Sequence, residues 1–524
     1  MLSRSISRRQ LLATAATLPV WPLTLPRPAL ATAPAVRFGP ARAFDFDWLR
    51  NRAHATAKRA YRPPVIRHPK LLESIDYDAY QKIRFRPEKA LWADRSAAFP
   101  AQLFHLGRYF KAPVAIHAVD GKTSRQVYYS ADFFDFGDAE LAARLPDDLG
   151  FAGFRLMNPN DGRTDWLVFL GAAYFRSSGA FDQYGMSARG IAIDTAMPWP
   201  EEFPRFTQFW LVRPAPETQT ITVYAMMDGP SLTGAYRFDC TRSTGVVMDV
   251  QAELFPRKKI ERLGVAPLTS MFWFGENNRH QATDWRPEVH DSDGLAIWTG
   301  DGERVWRPLN NPDRVITNAF VDESPKGFGL LQRDRQFHNY EDDGVFYDRR
   351  PSVWVEPRGD WGKGAVQLVE IPTDDEIHDN IVAYWVPEEP VTAGSQWSFS
   401  YRLHWLGDEP YADDSIGRVR HTRLGRGGVP GQPRPAGARK FVIDFNGGPL
   451  RGLRKQDDVE PVISASRGRI DNAYALQIVG TNRWRAFFDL YADGDQPVDL
   501  RCFLRFNERT LTETWLYQYL PFKA

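Results

Sequence analysis

Apolar positions along this chain alternate with polar ones far more often than they recur at helical spacing. Residues 126–129, 166–170, 218–226, 365–371 and 380–385 are rich in β-branched and aromatic side chains and are bounded by Gly, Pro, Asn or Asp. That pattern predicts strands closed by turns. Beyond residue 396 the alternation becomes strict: Trp397, Phe399, Tyr401, Leu403 and Trp405 share one strand face, Phe441, Ile443 and Phe445 a second, and Trp515, Tyr517 and Tyr519 a third. Helical spacing is confined to the early chain. Trp48, Leu49, Ala53, Ala57 and Ala60 predict a helix within 44–61, and a shorter helical turn is predicted at 76–83. The expected class is all-β, and 39 Gly and 39 Pro suit a fold with many turns.

Two prolines and a glycine interrupt the strand pattern at 386–394, which places a linker at 388–396 between a domain at 32–387 and another at 397–524. The later domain has the size and alternation of an immunoglobulin-like sandwich. Within it, 423–439 is basic, rich in Gly and Pro and poor in apolar residues, so a long mobile loop is expected, with the role of a lid over a groove in the other domain. Residues 1–31 read as an export leader: Arg8-Arg9 in a twin-arginine pattern, a short apolar run broken by prolines, and Ala29-Leu30-Ala31 as a cleavage-type site. The mature chain would start near Thr32 and be delivered folded to the periplasm, with no stable membrane insertion. That compartment permits disulfides, yet Cys240 and Cys502 are the only cysteines, and the inward parity of Cys502 favours a buried free thiol.

Composition narrows the partners. The 66 basic and 65 acidic residues nearly balance, which argues against nucleic acid and favours a neutral polymer. The stretch 269–309 sets Trp273, Trp285, Trp298 and Trp306 among Glu276, Asp284, Glu288, Asp291, Asp293 and Asp301. Aromatic faces beside acids suit sugar rings and glycosidic cleavage, although acidic hairpin turns on an all-β core would read the same way. Nucleophile-elbow, phosphate-loop, zinc-protease and Cys-x-x-Cys signatures are missing, and the ten histidines show no metal-ligand spacing. Asp291-Ser292-Asp293-Gly294 lacks the later ligands of a calcium loop and reads as a turn. No cofactor and no metal are expected. Carboxylates therefore carry the catalytic hypothesis. Asp374 and Asp375 read as a solvated turn, whereas Asp379 abuts a buried-looking strand, where partial desolvation would raise its pKa enough for acid catalysis. Between these clusters, 336–355 supplies aromatics and arginines able to stack on sugar or hold a carboxylate.

The runs DWRPEVHDSDGLAIWTGDGERVWRPL, RDRQFHNYEDDGVFYDRRPSVWVEP and DNIVAYWVPEEPVTAG closely resemble the periplasmic glucans biosynthesis family, proteins G and D, over nearly the whole mature chain. The twin-arginine leader favours the D type. The resemblance implies a large N-terminal galactose-mutarotase-like β-sandwich, a C-terminal immunoglobulin-like β-sandwich, and an inverting endo-β-1,2-glucanase acting on the linear backbone of osmoregulated periplasmic glucans. It implies Asp379 as general acid, Asp291 on the base side, directly or through a relay, and Tyr347 and Arg350 in contact with substrate. Trp285, Trp298, Glu276 and Asp293 complete the expected binding set. A non-catalytic β-glucan-binding scaffold that assists assembly or branching is the alternative, and a polysaccharide lyase is a weaker third, because this chain concentrates carboxylates. The reading leaves room for a homodimer.

Overall fold

The computed structural model describes residues 36–94, 97–159, 162–435 and 437–522; the expected leader at 1–31 lies outside them. Strands hold 45% of the chain against 11% in helix, so the fold is all-β. The early helix forms at Phe46–Ala57, where the Asp45 carboxylate accepts the Trp48 N–H at 2.7 Å as an N-cap, and Leu49 and Ala53 are buried. The shorter one is Tyr77–Lys82, capped in the same way by Asp76. The strand expected at 126–129 lies earlier, at Thr123–Gln126; Val127 makes only a single bridge to Phe38 as the chain leaves the sheet.

Two large sheets form the main body. One runs from Ala115–Asp120 through Arg205–Val212, Thr220–Asp228, Leu232–Arg242, Val246–Pro256, Trp397–Leu406, Ser352–Arg358, Gly327–Leu331 and Gly294–Trp298 to Arg304–Pro308. The other runs from Ile316–Glu323 through Lys363–Glu370, Ile381–Pro387, Leu263–Ser270, Ser187–Arg189, Tyr174–Ser177, Asp165–Leu170 and Gly153–Met157 to Ala101–Phe104. Their facing side chains make one apolar core. Phe169 meets Phe209 edge-on at 5.5 Å and Phe175 meets Phe238 at 5.2 Å, each pair drawn from opposite sheets.

Trp397–Leu406 was expected to open the C-terminal domain. It lies instead inside the first large sheet, antiparallel to Val246–Pro256 on one side and to Ser352–Arg358 on the other. Its aromatic face, Phe399, Tyr401 and Trp405, belongs to the main core, so the main body extends through Leu406. Alternation had marked which face is buried but not which core receives it.

The smaller body has one sheet of Arg418–Arg426, Ala438–Asn446, Trp484–Tyr491 and Arg469–Gln477, and a second containing Thr514–Tyr519, Val498–Phe506 and Glu460–Ala465. Phe441, Phe488, Cys502 and Trp515 lie in the core between them, and both cysteines are buried free thiols. The second sheet continues the first large sheet through a parallel pairing, Val305 with Thr514 and Trp306 with Trp515. The basic segment at 423–439 begins and ends in the strands of a hairpin, which reach Arg426 and resume at Ala438, and the described residues between them form the expected long loop. In the hairpin stem Thr422 pairs with Ile443 and Leu424 with Phe441, which supplies ladder bonds and burial. The Arg434 guanidinium donates to the carbonyls of Arg426, Gly427 and Gly428 across the turn.

Candidate functional site

The strand Leu263–Ser270 organises the site at its C-terminal end. Just beyond it, the Met271 carbonyl accepts the Asp291 N–H at 2.8 Å, and the Ser270 and Ser292 hydroxyls lie 2.6 Å apart. On the neighbouring strand Ser270 pairs with Ile381. The buried Asn380 side chain accepts from Phe272 N–H at 2.8 Å and donates to the Phe272 and Ile371 carbonyls at 2.9 Å each. Two loops remote in sequence, carrying Asp291 and Asp379, are thereby fixed to one strand end.

The two aspartates differ in environment. Asp291 is buried, and burial raises its carboxyl pKa; Arg350, His290 and Arg176 pull it down, and Glu376 pushes it up. The Arg350 guanidinium approaches Asp291 Oδ1 at 3.2 Å without hydrogen-bond alignment, so among the described residues that oxygen has no hydrogen-bond donor. Asp379, expected to be partly desolvated, is exposed, because the chain enters the core one residue later, at Asn380.

Behind Asp291 the His290 imidazole lies 3.0 Å from Glu288 and 3.0 Å from Gln332 Oε1. The Gln332 amide nitrogen donates to the His290 and Tyr347 carbonyls, which turns its oxygen toward the ring. Both ring nitrogens then face acceptors. His290 has a raised pKa: burial opposes the charge, and Glu288, Asp293 and Asp334 together outweigh it.

Arg286, which sequence reasoning passed over, ties the remaining loops together. Its buried guanidinium donates to Asp342 at 2.6 Å, Glu376 at 2.7 Å and Asp284 at 2.8 Å. Asp342 also accepts the N–H groups of Gly344 and Val345, which fixes the turn leading to Tyr347. Tyr347 is 2% exposed and donates its hydroxyl to Glu376 at 2.7 Å. Its phenol is pushed up by burial first, then by Asp291 and Glu376. Tyr347 thus holds a carboxylate, while Arg350, running past Gly185, where a Cβ would come within 3.0 Å of its side chain, holds Asp291. The advance signal for this hub was the segment 336–355, whose aromatics and arginines were expected to hold a carboxylate, together with Asp284 in the acidic stretch.

The other expected residues separate. Trp285 is 61% exposed on the rim beside Arg286. Asp293 accepts the N–H groups of Arg333 and Asp334 at 3.0 and 2.9 Å and so shapes the backbone. Glu276 is committed to the contact between bodies, where it lies 3.0 Å from His421 and accepts the Thr422 N–H at 2.5 Å. Trp298 sits at the far end of Gly294–Trp298, roughly 13 Å along the strand from its start, under the Arg304 guanidinium at 3.6 Å. Among the described residues, no group of three or more His, Cys, Asp or Glu is placed to hold a metal ion, and no helix is long and apolar enough to cross a membrane.

A carboxylate pair on one rigid edge, one member buried and one exposed, is suited to moving protons across a bond between them. The family model described as "Periplasmic glucan biosynthesis protein, MdoG" matches residues 44–519. The chain is 51% identical to glucans biosynthesis protein D 2 of Ralstonia nicotianae, with 99% of this chain and 98% of the relative covered. It is 50% identical to probable glucans biosynthesis protein D of Shewanella oneidensis (91% and 89% covered) and 50% identical to glucans biosynthesis protein D of Xanthomonas campestris pv. campestris (93% and 92% covered). A match from residue 44 to 519, with half of all positions shared with relatives aligned along nearly their whole length, places the chain in the periplasmic glucan biosynthesis family.

Proposed function

We propose that this protein is a periplasmic hydrolase of glucan biosynthesis, an inverting endo-β-1,2-glucanase exported folded by the twin-arginine route. Its main body is read as the mutarotase-like sandwich and its smaller body as the immunoglobulin-like one. The observation that carries the proposal is the joint anchoring of Asp291 and Asp379 on the end of Leu263–Ser270. Asp379 is the general acid: exposed in the free protein, it loses water when a glucan chain covers it, and that desolvation raises its pKa toward the value an acid needs. Asp291 is on the base side. Arg350, Arg176 and the His290 imidazole offset part of the burial cost of its charge, so it can ionise and accept a proton from water.

The exposed Asp379 bears on the choice between acid and base. Burial alone would make Asp291 the better acid, but its position behind Arg350 leaves Asp379 the more accessible to a glycosidic oxygen. The deciding experiment incubates the purified protein with linear β-1,2-glucan and follows chain length and anomeric form. Shorter products of inverted configuration support the reading; retained configuration, or unsaturated ultraviolet-absorbing ends, would exclude it. Binding without cleavage would establish the scaffold alternative.

A further inference from the structure

A groove of about 480 Å³ opens on the outer face of the second large sheet, lined by Tyr109, Tyr174, Arg176, Ser187 and Arg205 among others. Tyr109 is 65% exposed at its rim. Beside the groove, the buried Arg189 guanidinium lies 4.8 Å from the Tyr174 ring and 5.4 Å from Phe203, which is 49% exposed and lies outside the groove lining. Arg189 is itself locked by Glu201 at 2.7 Å and by the Thr269 hydroxyl at 3.0 Å, so the two rings rest on a fixed support.

The groove adjoins the strand that ends at the carboxylate site. Ser187 pairs with Thr269, on the strand that carries the site at its end. Tyr174 has a raised pKa, first from burial and further from the Glu201 and Asp379 carboxylates, and Arg176 acts on Asp291. The floor is therefore within electrostatic reach of both aspartates. No family resemblance or sequence motif had pointed to these residues.

We propose that Tyr109, Tyr174 and Phe203 form an aromatic platform that seats consecutive glucosyl units of a β-1,2-glucan on one side of the cut. The inference rests on the proposed glucanase reading. Tyr109 and Phe203, with the half-buried Tyr174, offer faces to the C–H surface of a pyranose, and Arg176 and Ser187 in the groove lining offer hydrogen-bond donors to its hydroxyls. A neutral polymer needs this mixture, and a polyanion would need a larger cationic excess. Binding on this side contributes to affinity for long chains and leaves the reacting bond itself untouched.

The test uses the full chain carrying Asp379→Asn and measures calorimetric binding of linear β-1,2-gluco-oligosaccharides of increasing length. Tyr109→Ala with Phe203→Ala should weaken long chains by about tenfold, change the shortest binders by less than about twofold, and recover in part with Phe203→Trp. Both residues are exposed, so an unchanged circular-dichroism melt will accompany the loss. Equal affinity of variant and parent at every length would overturn the platform and leave the glucanase reading standing. A parent that binds no oligosaccharide would remove both.

Discussion

Two buried charge clusters in this molecule follow opposite rules. At the contact between bodies, the Arg333 guanidinium meets Glu513 at 2.5 and 3.2 Å, and Glu513 also accepts the Val419 N–H at 2.6 Å. Arg333 stacks on Trp306 at 3.7 Å, and Arg418 pairs with Asp408 and Glu409 at 2.7 and 3.1 Å. Both Glu513 oxygens are matched, and the cluster holds two sheets in register. Around Asp291 the carboxylate is equally buried, but among the described residues one of its oxygens lacks a hydrogen-bond donor, and burial raises its pKa. Glu513, matched at both oxygens, is held as a fixed charge, whereas the unmatched oxygen of Asp291 is available to exchange a proton.

The sharpest way to break this contrast is to remove charge from each cluster in turn. On the proposed reading, Asp379→Asn and Asp291→Asn each lower glucan cleavage by about 10²–10⁴-fold, measured as reducing-end release, with the fold retained. Cleavage unchanged in both would refute the site assignment even if the activity stood. Arg333→Met does the reverse. It leaves Glu513 buried without its partner and should cost about 3–5 kcal/mol of stability, read by denaturant unfolding; a loss under about 1 kcal/mol would show the pair to be dispensable.

Arg286 lies between these extremes, because its job is to place loops that carry function. Lysine keeps the charge, but its three donors sit on one nitrogen and cannot reproduce the planar fork that makes four bonds to Asp284, Asp342 and Glu376. Arg286→Lys should reduce turnover by about 10²-fold with a smaller change in KM, since Glu376, Tyr347 and the turn at Asp342 all lose their common anchor. Equal losses in melting temperature and turnover would instead mark it as a purely structural residue.

The smallest effect is on stability as a function of pH. A raised carboxyl pKa means that the folded state holds the proton more tightly than the unfolded state, so the favourable contribution is complete below the unfolded Asp pKa and is lost as pH rises through the folded value. Asp291→Asn should therefore melt above the parent at neutral pH, and the gain should shrink as pH falls through the raised value toward the ordinary carboxylate range, below which it stays constant. A gain that grows in acid would contradict the burial of Asp291.

Much of the fold was legible because strand parity and helix caps are local. Asp45 and Asp76 sit where N-caps belong, and Phe441, Ile443, Phe445, Trp515 and Cys502 are buried as their alternation required. The acidic and aromatic segments were also visible, and Asp379 was singled out by its place before a buried strand, whereas Asp291 was assigned through the family resemblance. Trp298 and Glu276 show the limit: proximity in sequence to Asp291 put them in the expected site, while their strands carried them to a cation stack and a domain contact.

The sequence by itself determined which faces are apolar, where the chain turns, and which residue types are available for proton transfer, since these depend on neighbours within a few positions. Only the tertiary structure decided that Trp397–Leu406 joins the main sheet, that Arg286 gathers Asp284, Asp342 and Glu376, and that Asp291 is buried while Asp379 is exposed. Each of these depends on which distant strand supplies the partner. Alternation is the same whichever partner is chosen, whereas burial and charge pairing are not.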